Sequence, residues 1–309
     1  MIDKPFLLAI GGPTGSGKSD LAMRIAGILP SEIVNADSMQ VYRLLDIGTA
    51  KPDEEQRRKV PHHLLDIRDP DEAFSVGEYI KLSRKTVIEI DQRSNLPVMV
   101  GGTGLYIRGA MGGIFPGPSR NEKLRSELLA LDEEDKGILY RRLKEVDPVS
   151  ADRINQGDLV RIVRALEVME LTGEPISVLQ DKHRFSDRPF RTEMICIEPE
   201  RDLLYMWIDQ RVDRMIEMGF LEEVRHLAES GFGRDLNPMQ GLGYSELISH
   251  LAGEVSLKEA VSLIKKNTRR YAKRQLTWFR GEDNVRWFKI KDREQIGQIA
   301  EEIVERLGD

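Results

Sequence analysis

Cysteine is almost absent: Cys196 is the one thiol among 309 residues. That excludes an internal disulfide framework, and it excludes a four-thiolate zinc site or an iron–sulfur cluster held by this chain alone. No apolar run approaches the ~20 residues of a membrane-spanning helix. The short run FLLAI leads straight into a glycine loop and has no signal-peptide shape. The expectation is a soluble, cytoplasmic protein with no membrane partner. Excess positive charge is missing too. The formal net charge is −6, which excludes a chain basic over its whole surface. A local cationic patch stays open, because charges are screened beyond ~8–10 Å. Aromatic residues are only 6%, but the hydrophobic set reaches 40%, enough to exclude disorder as the main state. There is no internal repeat and no long amphipathic seam, so a monomer is expected.

What is present is an alternation of strands and helices. Residues 5–11, 32–37 and 97–102 read as short buried strands, the first and last running into glycines. The stretch 76–93 between them has helical spacing. This pattern predicts an α/β fold, a P-loop NTPase-like parallel sheet, with ligand loops at the carboxyl ends of the strands. After the breaker cluster PGPS (116–119) the pattern turns helical and highly charged until about residue 180. The expected organisation is a core over 1–115, a helical insertion over 116–190, and the rest of the core over 191–309. Strands are expected at 192–199 and 285–290.

Gly12, Pro13, Thr14, Gly15, Ser16, Gly17, Lys18 and Ser19 fit G-x-x-x-x-G-K-[ST] in full, between a strand and a helix. Glycines let the backbone wrap phosphate oxygens, and amide hydrogens at the helix start point at them. Lys18 adds a point charge, and Ser19 is a candidate Mg²⁺ ligand. The loop specifies a polyphosphate and leaves open which one. The strand at 97–100 ends in Gly101-Gly102-Thr103, without the Asp that usually helps hold magnesium in an ATPase. Asp37 ends the second strand, facing the phosphate loop. There it serves as a magnesium partner, a general base or a helix N-cap.

Six blocks occur in order: GPTGSGKS, NADSMQVYRLLDIGTAKP, PHHLLDIRDP, GGTGLY, RVDRMIEMGFLEEV and YAKRQLTWFR. Together they resemble the tRNA dimethylallyltransferases (IPP transferase family) over nearly the whole chain. The resemblance implies transfer of a dimethylallyl group from dimethylallyl diphosphate to N6 of the adenosine 3′ to the anticodon. It implies that the loop holds the donor diphosphate with Mg²⁺, that Asp37 is the base, that Thr103 sits at the reaction site and that Arg211 meets the leaving group. It further implies tRNA contacts at Asp37, Ser38, Met39 and Gln40, at Thr103 and Arg125, at Val160, Arg161, Ile162, Val163 and Arg164, and at Gln240, Gly241, Leu242, Gly243, Tyr244 and Ser245. The plainer roles are a salt-bridged helix for Arg164 with Glu167, and an exposed, acid-paired arginine for Arg211.

Seven basic residues and no acid fall within 265–280. The spacing puts Lys265, Arg269 and Lys273 beside Lys266, Arg270 and Arg274 on one broad helix face. The missing acids favour an RNA backbone as the partner, with Lys266, Arg270 and Arg274 as the candidate contacts to the anticodon arm. His62 and His63 lack further ligands nearby and are expected to be structural. Two other readings are a small-molecule P-loop kinase and a non-enzymatic RNA-binding P-loop protein. An isoprenoid-chain synthase needs two Asp-rich motifs, and the one echo is Asp132-Glu133-Glu134-Asp135.

Overall fold

A computed structural model describes residues 4–308. By internal contacts they divide into two compact units, residues 4–111 with 189–308, and residues 112–188. The divisions fall a few residues before the expected 115/116 and 190/191 boundaries. Among the described residues no helix is long and apolar enough to cross a membrane.

The first unit is built on six parallel strands: β1 (Phe6–Gly11), β2 (Ser31–Asn35), β3 (His62–His63), β4 (Leu96–Val100), β5 (Arg191–Pro199) and β6 (Val285–Ile290). Their order is β3-β2-β4-β1-β5-β6. Leu8 pairs with Val98 on one side and Glu193 on the other, so β1 is central. Both faces are covered, which is why β1 and β4 read as nearly continuous apolar runs. Leu8 and Ile10 pack under the helices Lys18–Ala26 and Gln295–Gly308; Leu7 and Ala9 pack with Tyr79, Ile107 and Phe279 on the opposite face. A third cluster joins Val41, Tyr42 and Leu45 to Val212, Phe220, Tyr244 and Ile264, on the helices that follow β5.

The helix that follows the phosphate loop starts at Lys18 and ends at Ala26, so the phosphate-loop lysine already lies in its first turn. The second strand ends at Asn35, and Asp37 lies in the turn beyond it. The edge strand β3 was not expected. His63 pairs alongside Val34, and its ring nitrogen meets buried Glu32 at 2.6 Å. Arg93 clasps the same carboxylate with two hydrogen bonds. His62 pairs alongside Ile33, its ring nitrogen 2.7 Å from the Val60 carbonyl, and no cluster of three or more His, Cys, Asp or Glu suited to a metal occurs among the described residues.

The second unit holds five helices, Glu122–Glu134, Ile138–Val146, Pro148–Arg153, Leu159–Thr172 and Ile176–His183. They close over Leu128, Leu139, Leu143, Ile162, Val163 and Leu166. Buried Asp147 accepts from the Ser150 backbone and hydroxyl and from the Ser177 hydroxyl, tying two helices together.

Candidate active site

The loops after β1, β2 and β4 meet at the carboxyl ends of their strands, where parallel sheets bind ligands. Gly15 and Gly17 adopt φ of +80° and +96°, conformations that wrap the loop back toward the helix. Lys18 turns back to the Pro13 carbonyl at 2.7 Å. Burial, helped by the nearby Arg211 charge, pulls the Lys18 ammonium down to about 8. The Ser16 hydroxyl is fully buried and has no hydrogen-bond partner among the described residues. Ser19 is exposed at the start of the helix and lines the adjoining cavity.

Asp37 is half-buried and does not cap a helix. Its Oδ1 accepts from Met39 N at 2.8 Å, an Asx turn that leaves Oδ2 without a hydrogen bond among the described residues. Asn35 orients the turn, accepting from Asp37 N and donating to the Asp37 carbonyl. Asn35 is itself held by Tyr79, whose hydroxyl donates to its carbonyl at 2.9 Å. Both Lys18 and Arg211 feel the Asp37 charge. Burial holds the Arg211 guanidinium below its ordinary value, and its one hydrogen bond among the described residues, 3.4 Å to the Thr49 carbonyl, is weak. Among the described residues no acid pairs with it, in contrast to the plainer reading from sequence.

Thr103 joins the second and fourth loops. Its Oγ1 accepts from Ser38 N at 3.0 Å, and its own N–H donates to the Ala36 carbonyl. The glycines before it are required by packing. A Cβ on Gly101 would lie 2.0 Å from the Ala36 carbonyl oxygen, and one on Gly102 would lie 2.1 Å from Gln275 Nε2. An aspartate directly after β4 is therefore sterically barred.

Gln275, unassigned by its local pattern, is a hub. Its Oε1 accepts from Thr14 N at 2.8 Å and its Nε2 donates to the Gly102 carbonyl at 2.9 Å. One buried amide thus spans the phosphate loop and the Thr103 loop. Glu223 does the same for the segment after Asp37, accepting from the backbones of Asp46, Ile47 and Gly48 and from the Tyr244 hydroxyl. Both residues lie in the quoted blocks YAKRQLTWFR and RVDRMIEMGFLEEV. Block membership was their only signal.

A cavity of about 1190 Å³ opens beside the phosphate loop. Its lining includes Lys18, Ser19, Gln40, Arg211, Arg214 and Arg293, the acids Asp20, Asp46 and Asp66, and the apolar Leu44, Ile47, Trp207, Met215 and Met218. Cys196 is fully buried in the sheet, and burial pushes its thiol up to about 12, so it is no nucleophile at neutral pH.

The remaining candidates divide. Gln40 spends its amide on the Thr49 and Ala50 carbonyls, and Met39 packs against Gly241. Gln240 is exposed, Gly241 and Leu242 are half-buried, and Gly243 is buried with a φ of +90°. Tyr244 is core, and the Ser245 hydroxyl donates to Glu246. In the insertion, Val160 and Arg161 face solvent, while Ile162 and Val163 are core. Arg125 is bound two-pronged to fully buried Glu167, which Arg164 also contacts at 2.6 Å. For Arg164 the salt-bridged role is the one observed.

On the helix Leu257–Arg280 the cations also separate. Lys265 pairs with Asp213, Arg269 with Asp209 and Arg280 with Glu198. The expectation of a face without acidic partners is corrected here: the acids come from the helix Arg201–Glu217 and from β5, not from neighbours in sequence. Lys266, Arg270, Lys273 and Arg274 are exposed and lack ion-pair partners among the described residues.

The chain matches the family described as IPP transferase over residues 40–282. It is 49% identical to a tRNA dimethylallyltransferase of Geobacter metallireducens over 92% of this chain and 93% of that one. It is 48% identical to a tRNA dimethylallyltransferase of Syntrophobacter fumaroxidans, covering 94% and 85%. Among solved structures it is similar to the tRNA isopentenylpyrophosphate transferase of Bacillus halodurans, with a TM-score of 0.73 and 40% identity over 99% and 97% of the two chains. It is also similar to a eukaryotic dimethylallyltransferase solved acting on tRNA, with a TM-score of 0.81 and 27% identity over 97% of this chain and 77% of that one.

Proposed function

The chain belongs to the IPP transferase family and is a tRNA prenyltransferase, and from that premise we propose how its residues carry the reaction. The donor is dimethylallyl diphosphate, with its diphosphate in the loop 12–19 and its allyl group in the cavity. The acceptor is N6 of the adenosine 3′ to the anticodon. N6 attacks the donor C1, the C1–O bond breaks, and its electron pair leaves on the diphosphate. The N6 proton passes to Asp37 Oδ2, the oxygen that the Asx turn leaves open. General-base help of this kind is worth ~10²–10⁴ in rate.

The observation that carries this reading is a carboxylate with one free oxygen held within the fields of Lys18 and Arg211. A base for the nucleophile and cations for the leaving group are thereby assembled in one place. The orphaned Ser16 hydroxyl is a further donor suited to a phosphate oxygen. The steric bar at Gly101 argues against the ATPase arrangement. The donor set also fits Mg²⁺, which takes few protein ligands and keeps substrate oxygens and water: Ser19 would hold it with the diphosphate. Bound there, the ion would neutralise charge developing on the leaving group. Thr103 and Ser38 position the acceptor. Exposed Lys266, Arg270 and Arg274 hold tRNA phosphates, and Arg161 with Val160 offers the insertion's contact. We place this enzyme in the cytoplasm as a monomer.

The test supplies unmodified tRNA with labelled dimethylallyl diphosphate or with γ-labelled ATP. Label should move from the diphosphate donor onto the adenine amine, and Asp37→Asn should slow transfer ~10²–10⁴-fold with both affinities near wild type. Label arriving from ATP would overturn the reading, and so would wild-type transfer by Asp37→Asn.

A further inference from the structure

We propose that Arg293, which lies outside the matched residues 40–282, is a further ligand of the donor diphosphate, beside the phosphate loop. This rests on the assignment of the loop to a diphosphate donor.

After β6 the chain returns across the phosphate loop. Ile296 packs so closely on Gly17 that a Cβ there would lie 2.5 Å from Ile296 Cδ1. Three residues earlier, the Arg293 guanidinium lies over the Trp207 indole, 4.8 Å from the ring centroid. Trp207 is nearly buried and precedes Arg211 by one helical turn on Arg201–Glu217. Three separate elements thus bring Lys18, Arg211 and Arg293 to one cavity wall with Gly15, Gly17 and Ser19. Stacking on an indole aims a guanidinium while leaving its donors free.

Arg293 has no carboxylate partner among the described residues, and its charge adds to the burial that disfavours the Arg211 cation. Of the acids that line the cavity, Asp20 is bonded to Arg24, Asp46 and Asp66 to Lys51, Asp53 caps the helix Glu54–Lys59, and Glu54 pairs with Arg58. Asp37, whose charge both Lys18 and Arg211 feel, is one carboxylate against three cations, and the excess positive charge repels itself until a multivalent anion enters. A diphosphate supplies several negative charges and enough oxygens for two guanidinium forks and one ammonium. As the C1–O bond breaks, charge on the leaving group grows, so the same contact strengthens during the reaction.

Arg293→Gln removes the charge at an exposed position and keeps a polar side chain. It should raise the KM for dimethylallyl diphosphate, and the Kd for inorganic diphosphate measured by calorimetry, by about 10- to 100-fold. The melting temperature and tRNA affinity should stay near wild type. Arg293→Lys should recover part of the loss. Donor KM and diphosphate Kd within twofold of wild type would overturn the proposal, leaving Arg293 as a cap on Trp207. So would an equal loss of tRNA affinity, which would mark a general disturbance. The diphosphate titration needs no turnover. If the wild-type protein fails to use dimethylallyl diphosphate, the donor assignment fails, and the titration still decides Arg293.

Discussion

Gln275→Leu is the sharpest probe of how the loops are held together. Leucine has nearly the volume of glutamine but no polar atoms. Two partners are stranded: Thr14 N–H, now 2.8 Å from Oε1, and the Gly102 carbonyl, now 2.9 Å from Nε2. An unsatisfied buried polar group costs about 1–3 kcal/mol. Thr14 is only partly buried, so water can recover some of that loss, and the sum is about 2–4 kcal/mol. The chain can lose this as global stability, seen as a melting temperature lower by several degrees. Alternatively, the loops shift until water reaches both groups, and the damage appears in catalysis. Gln275 fixes the phosphate loop against the loop carrying Thr103, so a displacement of about 1 Å between donor and acceptor sites should cost roughly 10²-fold in turnover. The assay is single-turnover transfer with saturating tRNA and donor, alongside thermal melting and tRNA binding. The expected result is a fall in kcat of about 10- to 100-fold, with tRNA affinity within twofold, because the exposed cations of the same helix are untouched. Gln275→Glu separates the two bonds. It keeps the acceptor for Thr14 N and loses the donor to Gly102, and its added charge should also weaken donor binding. A Gln275→Leu protein that melts lower yet turns over at the wild-type rate would refute the positioning role.

The combined change of Lys266, Arg270 and Arg274 to alanine should flatten the slope of log tRNA affinity against log salt by about two to three units, each phosphate contact contributing about 0.7–0.9. Lys265→Ala and Arg269→Ala, whose cations are held by Asp213 and Asp209, should change the slope far less; equal effects would remove the distinction. In the insertion, burial alone would raise the Glu167 carboxyl, but Arg125, Asn121 N and Arg164 overcome it and hold it at about 2, from an ordinary 4.5. Its folded pKa is depressed, so its contribution, about 3 kcal/mol, is complete above the ordinary value and is lost as pH falls from about 4.5 toward 2. Glu167→Gln should destabilise the protein by about 3–5 kcal/mol at neutral pH, because it strands two arginines, and should flatten acid unfolding over that window. An unchanged acid profile would show that the triad is not what acid breaks.

What the sequence discloses and what it hides divides by the range of the interaction. The phosphate loop is legible because its chemistry is local. Eight consecutive residues supply the turn, the amides, the cation and the hydroxyl, and the strand before and helix after confirm the setting. The covered sheet is legible because β1 and β4 are nearly continuous apolar runs; β2 carries only Ile33 and Val34 between Ser31, Glu32 and Asn35. Asp37 is legible as a residue but not as a geometry. N-cap and Asx turn use the same side chain within two or three residues, and only the strand ending at Asn35 decides between them. The hubs are invisible to periodicity. Gln275 acts on Thr14 and Gly102 across 261 and 173 positions, and Glu223 acts on Ile47 across 176. The basic helix shows the same limit in reverse. A run of cations without interleaved acid is a local fact, and it suggested one uniform face. The compensating acids, Asp209 and Asp213, stand on a neighbouring helix at the spacing that neutralises Lys265 and Arg269. That pairing sharpens the functional reading. A chain of net charge −6 must avoid repelling a polyanion while keeping cations for it, and here the inward cations of the helix are spent on packing. Lys266, Arg270, Lys273 and Arg274 are left outside with no protein acid to surrender before they meet a phosphate. An unpaired exposed cation has only its counterions to release, and that release is the favourable term in binding nucleic acid.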